Sequence, residues 1–126
     1  MGEAGIEFGD GSSKLQILDP VPYLEFLALQ HRASIVITDS GGVQEETTYL
    51  GTPCLTVRDT TERPITISEG TNRLIRVPEV EKAVNEVLEG RWPRHGPPSL
   101  WDGKAAPRIA ECLRSRIAEE GEGQCS

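Results

Sequence analysis

The chain has 126 residues, with 20 acidic and 13 basic side chains, a formal net charge of −7 and a mean hydropathy of −0.36. A chain of this length buries about two-thirds of its extended surface on folding, enough for one domain with its own core and no disulfide or metal staples. The acidic balance excludes sequence-independent nucleic-acid binding and docking on anionic lipid, which need a basic footprint; the apolar stretches at Tyr23–Leu29 and Ser34–Ile37 are too short for a membrane span of about 20 residues.

Residues 1–13 are glycine-rich and weakly patterned, and are expected to form a flexible lead-in. They hold no basic region followed by an apolar block, so no signal peptide is expected. Leu15-Gln16-Ile17-Leu18 is expected as a short strand. Pro22 suits the first turn of a helix over Pro22–His31, in which Tyr23, Phe26 and Leu27 recur at helical spacing. Ala33–Ile37 is apolar on both faces, as buried parallel strands are. Thr38–Gly42 turns the chain into a helix over Val43–Leu50, with Glu45 and Glu46 in its first turn and Gly51 as its stop. Pro53–Val57 is a third strand, Arg58–Pro64 a polar loop, and Asn72–Val77 a fourth strand. The segment between that loop and the fourth strand has no clear type.

Glu79–Glu89 is expected to be a helix started by Pro78 and stopped by Gly90, with Val80, Val84, Val87 and Leu88 on one face. Residues 90–104, with Pro93, Pro97 and Pro98, form a loop. Ala105–Glu119 is a last helix, with Ile109, Leu113 and Ile117 spaced by four, and 119–126 a solvated, disordered tail. Strands alternating with helices through short connections make this an α/β protein, a Rossmann-like parallel sheet with flanking helices, in one domain over residues 14–118. Cys54, Cys112 and Cys125 are odd in number, widely spaced and free of any CxxC pattern. No zinc site, other metal or disulfide framework is expected, and a reducing cytoplasm fits best.

Two constellations carry chemistry. In Asp39–Glu46, the glycines after a buried strand let backbone N–H groups approach a ligand closely. The helix behind them adds partial positive charge, so a phosphate can sit at Ser40, Gly41 and Gly42 without a lysine. Glu46 is placed to accept from ribose hydroxyls. The plainer alternative is a tight turn with Ser40 as helix cap and Glu45 and Glu46 as dipole-favourable acids. In Arg58–Pro64, two arginines, two acids and two hydroxyls follow the next strand. Both loops should therefore open at the same carboxyl edge of the sheet, where Arg58 or Arg63 can clamp a diphosphate. The plainer alternative is a salt-bridged surface loop.

Thr38–Glu46, Gly51-Thr52-Pro53, Arg58–Pro64 and Gly70–Leu74 together closely resemble the C-terminal domain of non-hydrolysing UDP-N-acetylglucosamine 2-epimerases. Asp19-Pro20, Tyr23-Leu24, Phe26 and Asp102–Ala106 with Arg108-Ile109 resemble further segments of that family, so the likeness runs from about Leu15 to Leu113. The resemblance implies the C-terminal half of a GT-B-type architecture, with UDP-GlcNAc and UDP-ManNAc interconverted by elimination and re-addition of UDP. It implies that Ser40, Gly41 and Gly42 hold the diphosphate, Glu46 takes the ribose hydroxyls, Phe26 packs on uracil, and Arg63 contacts phosphate or phosphate and sugar. Val21 stands where the family often has a polar side chain.

The family's N-terminal domain and inter-domain catalytic histidine have no counterpart among these residues. Neither His31 nor His95 lies in a matching motif. Arg63 is thus an electrostatic candidate only, no catalytic residue is assigned, and no cofactor is implied. Glu62, between Arg58 and Arg63, reads more simply as their ion-pair partner than as a base. Trp92 and Trp101 read as packing anchors. The family's last helix covers its N-terminal domain, so the Ile109 and Leu113 face is expected to be exposed here.

The implied partners are UDP or a UDP-sugar, and either a separate N-terminal half or further copies of the chain. The expected function is the UDP-binding part of an epimerase, inactive in isolation. The alternatives are a stand-alone nucleotide-sugar-binding module, a fragment of a GT-B glycosyltransferase, or a truncated reading frame.

Overall fold

The computed structural model describes residues 15–92 and 96–122, with side chains described as far as Ala118. The expected lead-in over 1–13, His95 and residues 123–126 lie outside that range. The elements run α1 (Tyr23–Arg32), β1 (Val36–Thr38), α2 (Gly41–Leu50), β2 (Cys54–Val57), α3 (Ile65–Ser68), β3 (Asn72–Ile75), a 3-10 turn (Val77–Glu79), α4 (Val80–Leu88) and α5 (Ala105–Glu122).

The three strands form one parallel sheet in the order β1-β2-β3, with Val36 opposite Cys54 and Cys54 opposite Asn72. This is the expected Rossmann-like α/β arrangement. Parallel neighbours need a crossover, and α2 and α3 supply the two.

Alternation along the strands gives the sheet two unlike faces. Leu55, Val57 and Ile75 share the face against α4, where Leu55, Ile75, Ala83, Val87 and Trp92 form the apolar core. The Leu, Ile and Val side chains among these contribute about 1.5–3 kcal/mol each when fully buried. The other face carries Cys54, Thr56 and Asn72 against α2 and α3, whose inward residues Gln44, Thr47, Thr48 and Thr66 are also buried. That face is held by hydrogen bonds, since buried polar groups must be paired. Arg73 stacks over Trp92 at 4.7 Å and donates to Glu86 at 2.9 Å. The Trp92 indole N–H donates to the Thr71 carbonyl, which ties the chain after α4 to the sheet. Trp92 is thus a packing anchor.

Several boundaries differ from expectation. Leu15–Leu18 is not a strand: the segment has no regular secondary structure and no ladder bonds, with Ile17 73% exposed. A strand has no stability without a neighbour, and this segment has none among the described residues. Helix α2 begins at Gly41 rather than Val43, so the glycines are its first turn. Glu45 and Glu46 consequently lie beyond that turn and are not dipole-favourable first-turn acids. The segment of unclear type is the short helix α3, and β3 ends at Ile75. Helix α5 continues to Glu122, three residues past its expected end. Gly51 stops α2 as expected, at φ 73°, with its N–H bonded back to Thr47 and Thr48.

Candidate functional site

Two loops meet at the carboxyl edge of the sheet. The first leaves β1 at Thr38, passes Asp39 and Ser40, and enters α2 through Gly41 and Gly42. Helix geometry leaves the amides of the first turn without intrahelical acceptors, and they carry the positive end of the helix dipole. Ser40 occupies the N-cap position, but its hydroxyl makes no capping bond; its N–H donates to Thr38 Oγ1 at 3.0 Å. The cap reading of the Ser40 side chain is therefore corrected, and the hydroxyl is left for another acceptor or donor.

The second loop, Arg58–Pro64, leaves β2 beside it. Arg58 Nη1 donates to both carboxylate oxygens of Glu62, at 2.9 and 3.3 Å. Glu62 is thereby a pairing partner, as expected. Its carboxyl is held below the usual range by its own backbone N–H and by the charges of Arg58 and Arg63. A β-carbon on Gly41 would stand 2.5 Å from Glu62 Oε1, so this carboxylate rests directly against the start of α2. Arg63 Nε lies 3.2 Å from Glu45 Oε1, which binds the loop to α2. The sequence carries no signal for that contact, since an acid early in a helix reads equally well as a dipole partner.

Glu46 faces α1 instead. It accepts from Gln30 Nε2 at 2.6 Å, and its negative charge pushes the Tyr23 phenol up. Phe26 lies between those two residues along α1 and remains 41% exposed. The predicted residues thus fall into two groups: Ser40, Gly41, Gly42 and Arg63 at the sheet edge, and Phe26 with Glu46 at the junction of α1 and α2.

A depression of about 380 Å³, lined by Val57, Arg58, Asp59, Ile75, Arg76 and Val77, opens at the same carboxyl edge. A larger cavity of about 570 Å³ opens at the opposite edge, among His31, Pro53, Val87 and Trp92. The smaller one shares the carboxyl edge with the helix N-terminus and the arginine loop, but of the residues in those two loops only Arg58 and Asp59 line it. His31 is exposed at the end of α1 and touches neither loop. Among the described residues no group of three or more His, Cys, Asp or Glu side chains is placed to hold a metal ion, and no helix is long and apolar enough to cross a membrane.

The family model for UDP-N-acetylglucosamine 2-epimerase matches residues 3–114. The chain belongs to that family. It is 42% identical over 104 residues to the UDP-N-acetylglucosamine 2-epimerase of Methanocaldococcus jannaschii, a match covering 81% of this chain and 28% of that protein. It is 39% identical over 105 residues to the Escherichia coli K12 enzyme of the same name, covering 79% and 28%. The chain thus spans just over a quarter of the length of these relatives. The M. jannaschii structure in complex with UDP-GlcNAc and UDP superposes with a TM-score of 0.65 at 40% identity, over 83% of this chain and 29% of that one. The Neisseria meningitidis structure bound to UDP-GlcNAc superposes at 0.67 and 32% identity, over 78% and 28%.

Proposed function

We propose that this chain is the UDP-binding part of an enzyme that interconverts UDP-GlcNAc and UDP-ManNAc, and that it does not turn over by itself. Ser40, Gly41 and Gly42 hold the diphosphate on the first-turn amides of α2. Arg63 adds a charge-assisted contact to phosphate, Glu46 accepts from the ribose hydroxyls, and Phe26 packs on uracil. The observation that carries this reading is the convergence of two loops at one sheet edge, with Arg63 held 3.2 Å from Glu45 of α2. A helix N-terminus with a guanidinium held on the same helix is suited to a diphosphate.

Elimination across C1 and C2 of the sugar needs a base at C2 and stabilisation of the departing diphosphate. These residues supply the second function. Glu62 rests against Gly41 and is committed to Arg58, so the base belongs to the rest of the enzyme, either in a separate N-terminal half or within the full-length chain. We place the protein in the cytoplasm, a reading supported by the free thiols of Cys54 and Cys112.

Calorimetric titration with UDP tests the site. The wild-type chain is expected to bind, and Arg63→Ala to weaken binding by about tenfold or more, the worth of one charge-assisted contact. Absence of UDP heat in the wild type removes the reading. Mixing the chain with the missing part of a relative should then produce epimerisation. UDP binding with no gain on mixing would favour a stand-alone sensor, and turnover by the chain alone would refute the claim of inactivity.

A further inference from the structure

The buried polar face of the sheet contains a hydrogen-bond circuit that ends on one residue. Gln44, in the first turn of α2, is fully buried. Its Oε1 accepts from Thr61 Oγ1 at 2.6 Å and from Asn72 Nδ2 at 3.1 Å. Asn72 Nδ2 also donates to Thr66 Oγ1 at 3.1 Å, and Asn72 Oδ1 accepts from Thr56 Oγ1 at 2.6 Å. Thr61 Oγ1 in turn accepts from the Arg63 N–H at 2.9 Å, and Thr66 Oγ1 donates to the Arg63 carbonyl at 2.7 Å.

Proton counting shows that the circuit is directional. Thr61 has one hydroxyl proton, spent on Gln44, so its lone pairs are left for the Arg63 N–H. Thr66 spends its proton on the Arg63 carbonyl and takes an Asn72 proton in exchange. Asn72 spends its two amide protons on Gln44 and Thr66. Both backbone groups of Arg63 are thereby wired to the Gln44–Asn72 pair, which bridges α2 and β3. Gln44 Nε2 finds no acceptor among the described residues.

We infer that Gln44, Asn72, Thr61 and Thr66 are positioning residues that fix the backbone of Arg63 relative to the N-terminal turn of α2. Glu45 steadies the guanidinium from outside, at 3.2 Å. A bidentate phosphate contact depends on the angle of the guanidinium plane, and a surface loop without this anchoring would lose that angle on every excursion. The inference rests on the reading of Arg63 as a diphosphate contact.

Thr61→Val removes the hydroxyl at nearly constant shape, and Thr61→Ser restores it. UDP and uridine are titrated into the full chain. Thr61→Val is expected to weaken UDP by about tenfold and uridine by less than about twofold, the scale of one lost hydrogen bond acting on the phosphate contact alone. Thr61→Ser should lie within about twofold of wild type, and Thr61→Val should add little on an Arg63→Ala background. Equal loss for UDP and uridine, no loss for UDP, or full additivity with Arg63→Ala overturns the inference. If the wild-type chain binds no UDP, the functional reading fails by itself, and amide hydrogen exchange decides the positioning. Thr61→Val should then speed exchange at Arg63 and leave Val80–Leu88 unchanged; unaltered exchange at Arg63 overturns it.

Discussion

Glu62 places an internal carboxylate where the proposed diphosphate has to approach, against Gly41 at the start of α2. The side chain is half-exposed and its partner Arg58 is in the loop, not the core, so their ion pair adds little to stability. Its main consequence is competition: one anion against the helix end opposes the entry of another, and Arg58 is occupied while Glu62 remains. Glu62→Gln removes the charge and keeps the shape. UDP affinity is expected to rise by about two- to fivefold, the worth of one charge near a helix terminus. Titration of the two proteins under the same salt decides it, and weaker binding by the variant would show that Glu62 assists the ligand instead.

Among the elements, those with their own local signals were legible and those that depend on distant partners were not. Gly51 and Gly90 marked the ends of α2 and α4, and both adopt the left-handed conformation that only glycine takes readily. The Ser-Gly-Gly turn and the arginine loop were visible as patterns because their residue types are unusual for plain connections. Leu15–Leu18 has the composition of a strand, but pairing is a property of two segments and the composition of one cannot report it. Helix α3 consists of Ile65, Thr66, Ile67 and Ser68, poor helix formers whose turn is secured by Thr66 bonding back to Arg63. Gln44 and Asn72 lie in segments that carry the family resemblance, but nothing in the sequence pairs them, since an amide in a helix and another at a strand start become partners only in three dimensions. The start of α5 has a signal of its own. Asp102 Oδ1 accepts from the Lys104 N–H and the carboxylate pairs with Arg108, whose hydrogen bonds bring the Asp102 carboxyl down to about 2 from an ordinary 3.8. A depressed carboxylate contributes above its unfolded value and ceases to contribute as pH falls through its folded value. Asp102's contribution to the first turn of α5 should therefore be intact down to about pH 4 and fade between there and about pH 2, with a partial fall in helicity. Carbon chemical shifts at Ala105–Ile109 report this, and an unchanged acid profile in Asp102→Asn would exclude Asp102 as the group responsible.

At the scale of the whole molecule, apolar surface lies open on two sides. Ile37 of the edge strand β1 is 47% exposed, on the same sheet face as the buried Leu55 opposite it. Along α5, Ile109, Leu113 and Ile117 form an exposed stripe at four-residue spacing, as the resemblance led us to expect. A chain that spans about 28% of its relatives' length leaves most of their structure unaccounted for, and surfaces that a larger protein would cover are free here. Three aligned aliphatic side chains gain about 1.5 kcal/mol or more each on full burial, enough to oppose the entropy of association at high protein concentration. The net charge of −7 resists that association at low salt and is screened as salt is added. Light scattering during size exclusion should accordingly show a mass that rises above 13.8 kDa with concentration, and more so at high salt. Replacing Ile109, Leu113 and Ile117 with serine should return the chain to a monomer under all these conditions. A wild-type chain that stays monomeric at high concentration and high salt would mean that the α5 stripe is not sticky enough to self-associate, and that its exposure is tolerated by the isolated chain.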